Sequence, residues 1–182
     1  MTVKTATIKT DEITTEISRL FDYEFDGTSS FTVPTIPNLE RQMYVDQPYS
    51  IGLIVGPSGS GKSSLLAEFG TEEKIDWDQE KAVVSHFKDH DDAIDRLGAV
   101  GFNSVPSWMR PYHVLSNGEQ FRVELARKLK DGAVIDEFTS VVDRNVAKSC
   151  AMALRKYVDK TGLKNLTFAS CHYDIVDWLQ PD

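Results

Sequence analysis

Two patterns of hydrophobic and polar positions divide this chain near residue 50. Before it, residues 2–9 alternate small apolar with polar side chains, the period of a strand at the edge of a sheet. Thr10 or Asp11 can cap a short helix running to about Phe21, which gathers Ile13, Ile17, Leu20 and Phe21 on one face. Gly27 to Ser30 is turn-like and Ser30 to Val33 reads as a second strand. Pro34, Pro37 and Pro48 then punctuate an irregular connection, with a short element around Met43 to Val45. From Ile51 onward, short and largely apolar runs replace the alternation: 51–55, 82–85, 133–135 and 166–170. Such runs suit strands buried on both faces. Between them, helical spacing predicts helices over 63–69, 91–100, 117–129 and 142–158, with a last turn or two over 174–179. Strands alternating with helices predict an α/β domain around a parallel sheet.

The run 51–55 leads into Gly56-Pro57-Ser58-Gly59-Ser60-Gly61-Lys62-Ser63, and Ser64 follows where a helix begins. Strand, glycine-rich turn and helix in that order make a phosphate-binding P-loop. Glycines let the backbone close around phosphate oxygens with N–H groups inward, and the helix dipole favours the same anion. In that arrangement Lys62 reaches the β- and γ-phosphates and the Ser63 hydroxyl binds Mg²⁺. A nucleoside triphosphate site over 56–64 is therefore expected. The run 133–135 ends in two acids, Asp136 and Glu137. The expectation is a strand lying beside the P-loop strand, so that Asp136 holds Mg²⁺, directly or through water. Glu137 would orient and deprotonate the attacking water. Acid pairs after apolar runs also arise by chance, so this pair gains its weight from companions.

The companion that decides the matter is Leu115-Ser116-Asn117-Gly118-Glu119-Gln120-Phe121-Arg122-Val123-Glu124-Leu125-Ala126-Arg127. It resembles, position for position, the signature stretch of ATP-binding-cassette (ABC) ATPases, in which LSGGQ is followed by QRVALARAL. Asn117 replaces the first glycine, and Glu119 stands where glutamine is usual. The resemblance implies that Ser116, Asn117, Gly118 and Glu119 open a helix facing the γ-phosphate of an ATP on the opposite subunit. The local alternative for Ser116 is a plain N-cap. Glu137-Phe138-Thr139-Ser140-Val141-Val142-Asp143 is similar to the ABC segment DEPTSALD, which makes Asp143 the acid at the dimer seam as well as a candidate N-cap. Leu166-Thr167-Phe168-Ala169-Ser170-Cys171-His172 resembles the strand leading to the switch histidine. His172 is then the residue that bonds the γ-phosphate and holds the geometry of Glu137 and water. The pattern departs at the Q-loop. Where glutamine is usual, the run 82–85 is followed by His86, which is expected to stand in as a Mg²⁺ or water partner; an ordinary surface histidine is the other reading. His86 and His90 have no third ligand nearby, which rejects zinc. Tyr23, Phe31 and Tyr44 are candidates for stacking on adenine, with core packing the default for each.

Lys62 and Leu115 are 53 residues apart. That interval is much shorter than in transporter cassettes, where it holds the helical arm that docks onto membrane subunits. It is far too short for the coiled coils of chromosome-maintenance ATPases. Residues 105–114, 136–144, 171–174 and 178–182 resemble a family of soluble bacterial, archaeal and phage ABC-type ATPases, some fused to a predicted acetyltransferase domain. The resemblance covers about 51–182. Those relatives continue into further strands, and this sequence, stopping at Asp182, is expected to lack the fused domain. What the resemblance implies is one α/β P-loop domain of ABC ATPase type over 1–182. It would comprise a β-rich N-terminal lobe (1–50), a P-loop core (51–85 and 131–182) and a reduced helical subdomain carrying the signature (86–130). The implied function is binding and hydrolysis of ATP with Mg²⁺ in an ATP-dependent head-to-tail homodimer, with a further protein or nucleic-acid partner unidentified. The alternatives are the nucleotide-binding subunit of a membrane transporter and a binding module switched by ATP with little turnover.

Composition changes this picture little. At 182 residues, 41% apolar and 26% charged, the chain suits a soluble globular domain with room for a core. No apolar run approaches the roughly 20 residues of a membrane span, and the N-terminus has no signal-like apolar stretch. A cytoplasmic protein without membrane insertion is expected, with Cys150 and Cys171 as reduced thiols. A formal charge of −8 weighs against nucleic-acid binding over the whole surface. Arg122, Arg127, Lys128 and Lys130 form a candidate local basic patch, read first as a solvated helix face.

Overall fold

A computed structural model describes residues 2–33 and 48–182, apart from the side chains of Thr2, Phe31 and Val33. The expected element around 43–45 and the candidate Tyr44 lie outside the described residues, as does the Phe31 ring. The chain divides into two units, Met1–Pro37 and Asn38–Asp182.

In the first unit the alternating pattern becomes strand β1 (Thr2–Thr7), paired antiparallel with β2 (Thr28–Val33) from Thr2↔Val33 to Thr7↔Thr28. Helix α1 (Glu12–Leu20) lies between them in sequence. Asp11 caps it reciprocally with Thr14: the Asp11 carboxylate accepts the Thr14 N–H, and Thr14 Oγ1 accepts the Asp11 N–H, both at 2.8 Å. The expected apolar face forms, but Ile13, Ile17, Leu20 and Phe21 stand exposed on it.

The second unit is built on a parallel sheet of three strands: β3 (Ile51–Val55), β4 (Val134–Ile135) and β5 (Leu166–Ser170). Their order is β3–β5–β4. This corrects the expectation that the acidic strand lies beside the P-loop strand; β5 is interposed and pairs with both. All five β5 residues are buried, as a strand flanked on both edges and packed on both faces requires. The helices are α2 (Lys62–Leu66), α3 (His90–Ala99), α4 (Val105–Trp108), α5 (Asn117–Lys128), α6 (Arg144–Thr161) and α7 (Ile175–Leu179). The long α6 buries Ala147, Cys150, Ala151, Leu154 and Val158, a stripe at helical spacing, and ends at Gly162 in the left-handed region. The core joins this stripe to Phe168 of β5, Phe138, Val123 and Leu125 of α5, Leu97 of α3, and Ile175 and Leu179 of α7.

One predicted strand is absent. Residues Val83–His86 form a 3₁₀ turn rather than a strand. Val83 is buried and donates its N–H to the Arg110 carbonyl at 2.9 Å, so the run is held by a neighbouring loop instead of a sheet. A short apolar run cannot by itself distinguish these outcomes.

Candidate functional site

Parallel pairing puts the carboxyl ends of β3, β5 and β4 on one edge of the sheet, where ligands bind in α/β folds. Three sequence motifs leave from that edge. The glycine-rich loop 56–61 follows β3 and feeds directly into α2. Gly61 occupies the N-cap position at φ +86°, a left-handed conformation that favours glycine and lets the loop turn into the helix without strain. Ser58, Gly59 and Ser60 are exposed along the loop, and Ser63 is exposed on the first helical turn, with Ser64 half-buried beside it. Lys62 folds back over the loop, its Nζ donating to the Pro57 carbonyl at 2.8 Å. The helix is shorter than its expected span, giving way after Leu66 to tighter turns closed by Glu68 N–H to Leu65 and Phe69 N–H to Leu66.

The acid pair follows β4. Asp136 is half-buried, and its Oδ1 accepts the Glu137 N–H at 2.8 Å. Glu137 and Thr139 both have positive φ, +48° and +66°, conformations uncommon for residues with a Cβ. The surroundings fix them. The Glu137 carbonyl accepts both the Ser140 N–H at 3.0 Å and the Ser140 hydroxyl at 2.8 Å, and the Phe138 ring is buried between Phe121 and Phe168. Backbone strain held by packing is a common mark of a working site. The Glu137 carboxylate stands exposed, and with Asp136 and Ser140 it borders a cavity of about 340 Å³ whose opposite wall is α5 through Asn117, Gln120 and Lys128.

His172 leaves β5, half-buried, two residues beyond Ser170. Ser170 itself was read only as part of a strand, yet it ties the three motifs together. Its carbonyl accepts the Gly56 N–H at 3.3 Å, its hydroxyl donates to the Phe138 carbonyl at 3.0 Å, and the same oxygen accepts the His172 N–H at 3.1 Å. The signal for it was available: a serine closing a strand that reads as buried needs a partner for its hydroxyl.

The signature stretch forms α5 as expected, with Ser116 at its N-cap and Glu119 accepting the Ser116 N–H at 2.9 Å. A Cβ on Gly118 would sit 3.3 Å from Val142 Cγ1, so glycine lets the start of α5 approach the segment before α6. Asp143 caps α6, its Oδ1 accepting the N–H groups of Asn145 and Val146 at 2.9 and 3.0 Å. Arg144, the next residue, pairs through two nitrogens with Asp174, just beyond His172.

Two expectations change. His86 lies with both ring nitrogens committed to its own loop: Nε2 accepts the Asp78 N–H at 3.1 Å and Nδ1 bonds the Ala82 carbonyl at 3.0 Å, with the ring edge-on to Trp77. A role as a Mg²⁺ or water partner would require one of those bonds to break. The four basic residues are all engaged by neighbours, and of them Lys130 is exposed. Arg122 bonds the Gly118 and Gly101 carbonyls, Arg127 the Asp76 carbonyl, Lys128 both Glu72 and Glu124, and Lys130 pairs with Glu73. Arg122, Arg127 and Lys128 fasten α5 to its neighbours, and Lys130 does the same for the segment just beyond it. Tyr23 stacks on Phe25 in the first unit with centroids 6.5 Å apart.

Among the described residues no three His, Cys, Asp or Glu side chains gather to hold a metal. Mg²⁺ bound with a nucleotide needs only one or two protein oxygens beside phosphates and waters, and the Ser63 hydroxyl and the Asp136 carboxylate leave from the same sheet edge. That donor set fits such an ion.

No protein-family model and no curated protein matches the chain. Solved structures do. A dimeric structure of MJ0796, described as a bacterial ABC transporter cassette, matches at a TM-score of 0.52 and 16% identity, covering 70% of this chain and 77% of that one. The dimeric structure of the same ATP-binding cassette in a post-hydrolysis state, bound to ADP and Pi, matches with the same values. At that identity the likeness is one of fold. The chain has the α/β fold of the ABC ATPase cassettes, in a reduced form.

Proposed function

We propose that this protein is an ABC-type ATPase outside the transporters. It binds and hydrolyses Mg-ATP in a head-to-tail homodimer whose closing and opening act on a further protein or nucleic-acid partner. The observation that carries the reading is the Ser170 junction. It couples the glycine-rich loop, the Asp136–Glu137 segment and His172 at one sheet edge. Lys62 and the amides of 56–64 cradle the phosphates, and Ser63 and Asp136 hold Mg²⁺, which neutralises charge on the β- and γ-phosphates. Glu137, exposed and fixed through its backbone, takes the proton of the attacking water. His172 bonds the γ-phosphate. Ser116 and its neighbours at the start of α5 receive the partner's γ-phosphate, and Asp143 lines the seam. The described residues contain no helix long and apolar enough to cross a membrane.

The structural neighbours are described as transporter cassettes, which favours a second reading as the nucleotide-binding subunit of a transporter. Against it, only α3, α4 and one 3₁₀ turn separate the 83–86 turn from α5, leaving little to dock onto a membrane subunit. The deciding experiment is solution mass with and without Mg-ATP for the wild type and Glu137→Gln. Removing the base traps ATP, so the variant doubles its mass only with ATP, and adding Ser116→Arg abolishes the doubling. A mass that never changes while ATP binds would defeat the head-to-tail assignment of Ser116 and Asp143.

A further inference from the structure

At the start of α5 four side chains form one hydrogen-bonded chain. Ser104 Oγ and Ser107 Oγ lie 2.9 Å apart, and Ser107 Oγ donates to Glu119 Oε1 at 2.8 Å. Ser116 donates twice to Glu119 Oε2, from its N–H at 2.9 Å and its hydroxyl at 2.8 Å. Ser107 is only 6% exposed, so the chain is anchored inside the unit. The Ser116 N–H first, then the two serine hydroxyls, hold the Glu119 carboxyl below the ordinary range for a glutamate, and Arg122 adds a weaker pull. Glu119 is therefore an anion at neutral pH, placed on the helix end that carries partial positive charge. A hydroxyl has one proton. While Ser116 gives it to Glu119, its oxygen offers only lone pairs to whatever approaches from outside.

We propose that Glu119, seated by Ser107, is a positioning residue that turns the Ser116 hydroxyl inward and holds back docking of a partner-bound γ-phosphate on this helix end. The proposal rests on the head-to-tail reading given above. It makes the departure from glutamine at this position a brake: closure requires the Ser116 proton to leave Glu119 and requires a phosphate to settle beside a carboxylate. In Glu119→Gln the amide oxygen takes the place of Oε2 and still accepts from the Ser116 N–H, while the amide nitrogen donates to Ser107 Oγ. The negative charge is gone, and the Ser116 hydroxyl is held by a neutral bond weaker than the one to a carboxylate. Both changes favour a phosphate.

The test is light scattering across an Mg-ATP titration for Glu137→Gln and for the double variant Glu119→Gln/Glu137→Gln, with a thermal midpoint for each. The double variant is expected to reach half-dimerisation at about tenfold lower ATP, the size of one charge-assisted hydrogen bond. Its thermal midpoint is expected to fall, because α5 loses a negative charge from its first turn. A merely structural role would lower the midpoint and leave dimerisation unchanged or weaker. Ser107→Ala in the Glu137→Gln background should shift the titration in the same direction by less. If Glu137→Gln dimerises and the double variant needs equal or more ATP, the brake is refuted and the head-to-tail reading survives. A dimer that appears only in the double variant supports both. If neither forms a dimer at any ATP concentration, the head-to-tail reading fails and the brake falls with it.

Discussion

The hydroxyl of Ser170, itself fully buried, bonds two segments that the sequence separates by more than a helix; its bond to Phe138 is buried and its bond to His172 half-buried. Ser170→Ala leaves the Phe138 carbonyl and the His172 N–H each short of a partner, a loss of about 1–3 kcal/mol that urea unfolding can measure. If the junction also positions the site, kcat should fall further than ATP affinity, since the P-loop itself is untouched. An unchanged kcat would reduce Ser170 to a packing residue. The two thiols give a second test. Burial pushes the Cys150 thiol up to about 12, whereas Cys171 is exposed beside His172. An aromatic disulfide reagent should therefore label Cys171 in the folded protein and Cys150 only on unfolding. ATP should slow labelling of Cys171 if nucleotide seats at this edge, and an ATP-independent rate would place it elsewhere. Single residues were legible where their meaning is local. Asp11, Ser116 and Asp143 act through N–H groups within four positions, and all three sit at helix starts as their types suggest. Ser170 and His86 were not legible, because their partners are set by the path of distant backbone.

Among the elements, helices were read more securely than strands. The α5 and α6 spans follow from apolar spacing and caps, while the expected strand over 82–85 is a 3₁₀ turn over 83–86 bonded to the Arg110 carbonyl. The order β3–β5–β4 could not be read either, since pairing depends on which strands meet and not on what each contains. The most instructive element is the last turn of α5. Lys128 is 8% exposed between Glu72 and Glu124, and Tyr112 adds its hydroxyl to Glu124 at 3.1 Å. Burial and the neighbouring Glu124 carboxylate push that phenol up to about 12, so it remains a donor. Lys128→Met keeps the aliphatic stem but leaves two partly exposed carboxylates without their cation, and should cost about 1–3 kcal/mol of stability by urea unfolding. Converting Glu72 and Glu124 to glutamine as well should recover most of it. A single variant as stable as the wild type would show that the cluster is no clasp.

On the scale of the whole molecule, the candidate site is assembled from three regions that are remote in the chain, and the only strand that pairs with both β3 and β4 among the described residues is β5. The order of synthesis gives this topology a consequence. A growing chain releases β3 with its glycine-rich loop first and β4 with its acid pair much later, yet these two strands have no edge in common. The strand that fits between them is made after both. Until residues 166–170 are made, β3 and β4 lack the strand that pairs with both, and their unpaired backbone N–H and C=O groups await a partner. A nascent chain stalled before Leu166 should thus retain nucleotide less well than the released protein, which ATP binding to stalled complexes would measure.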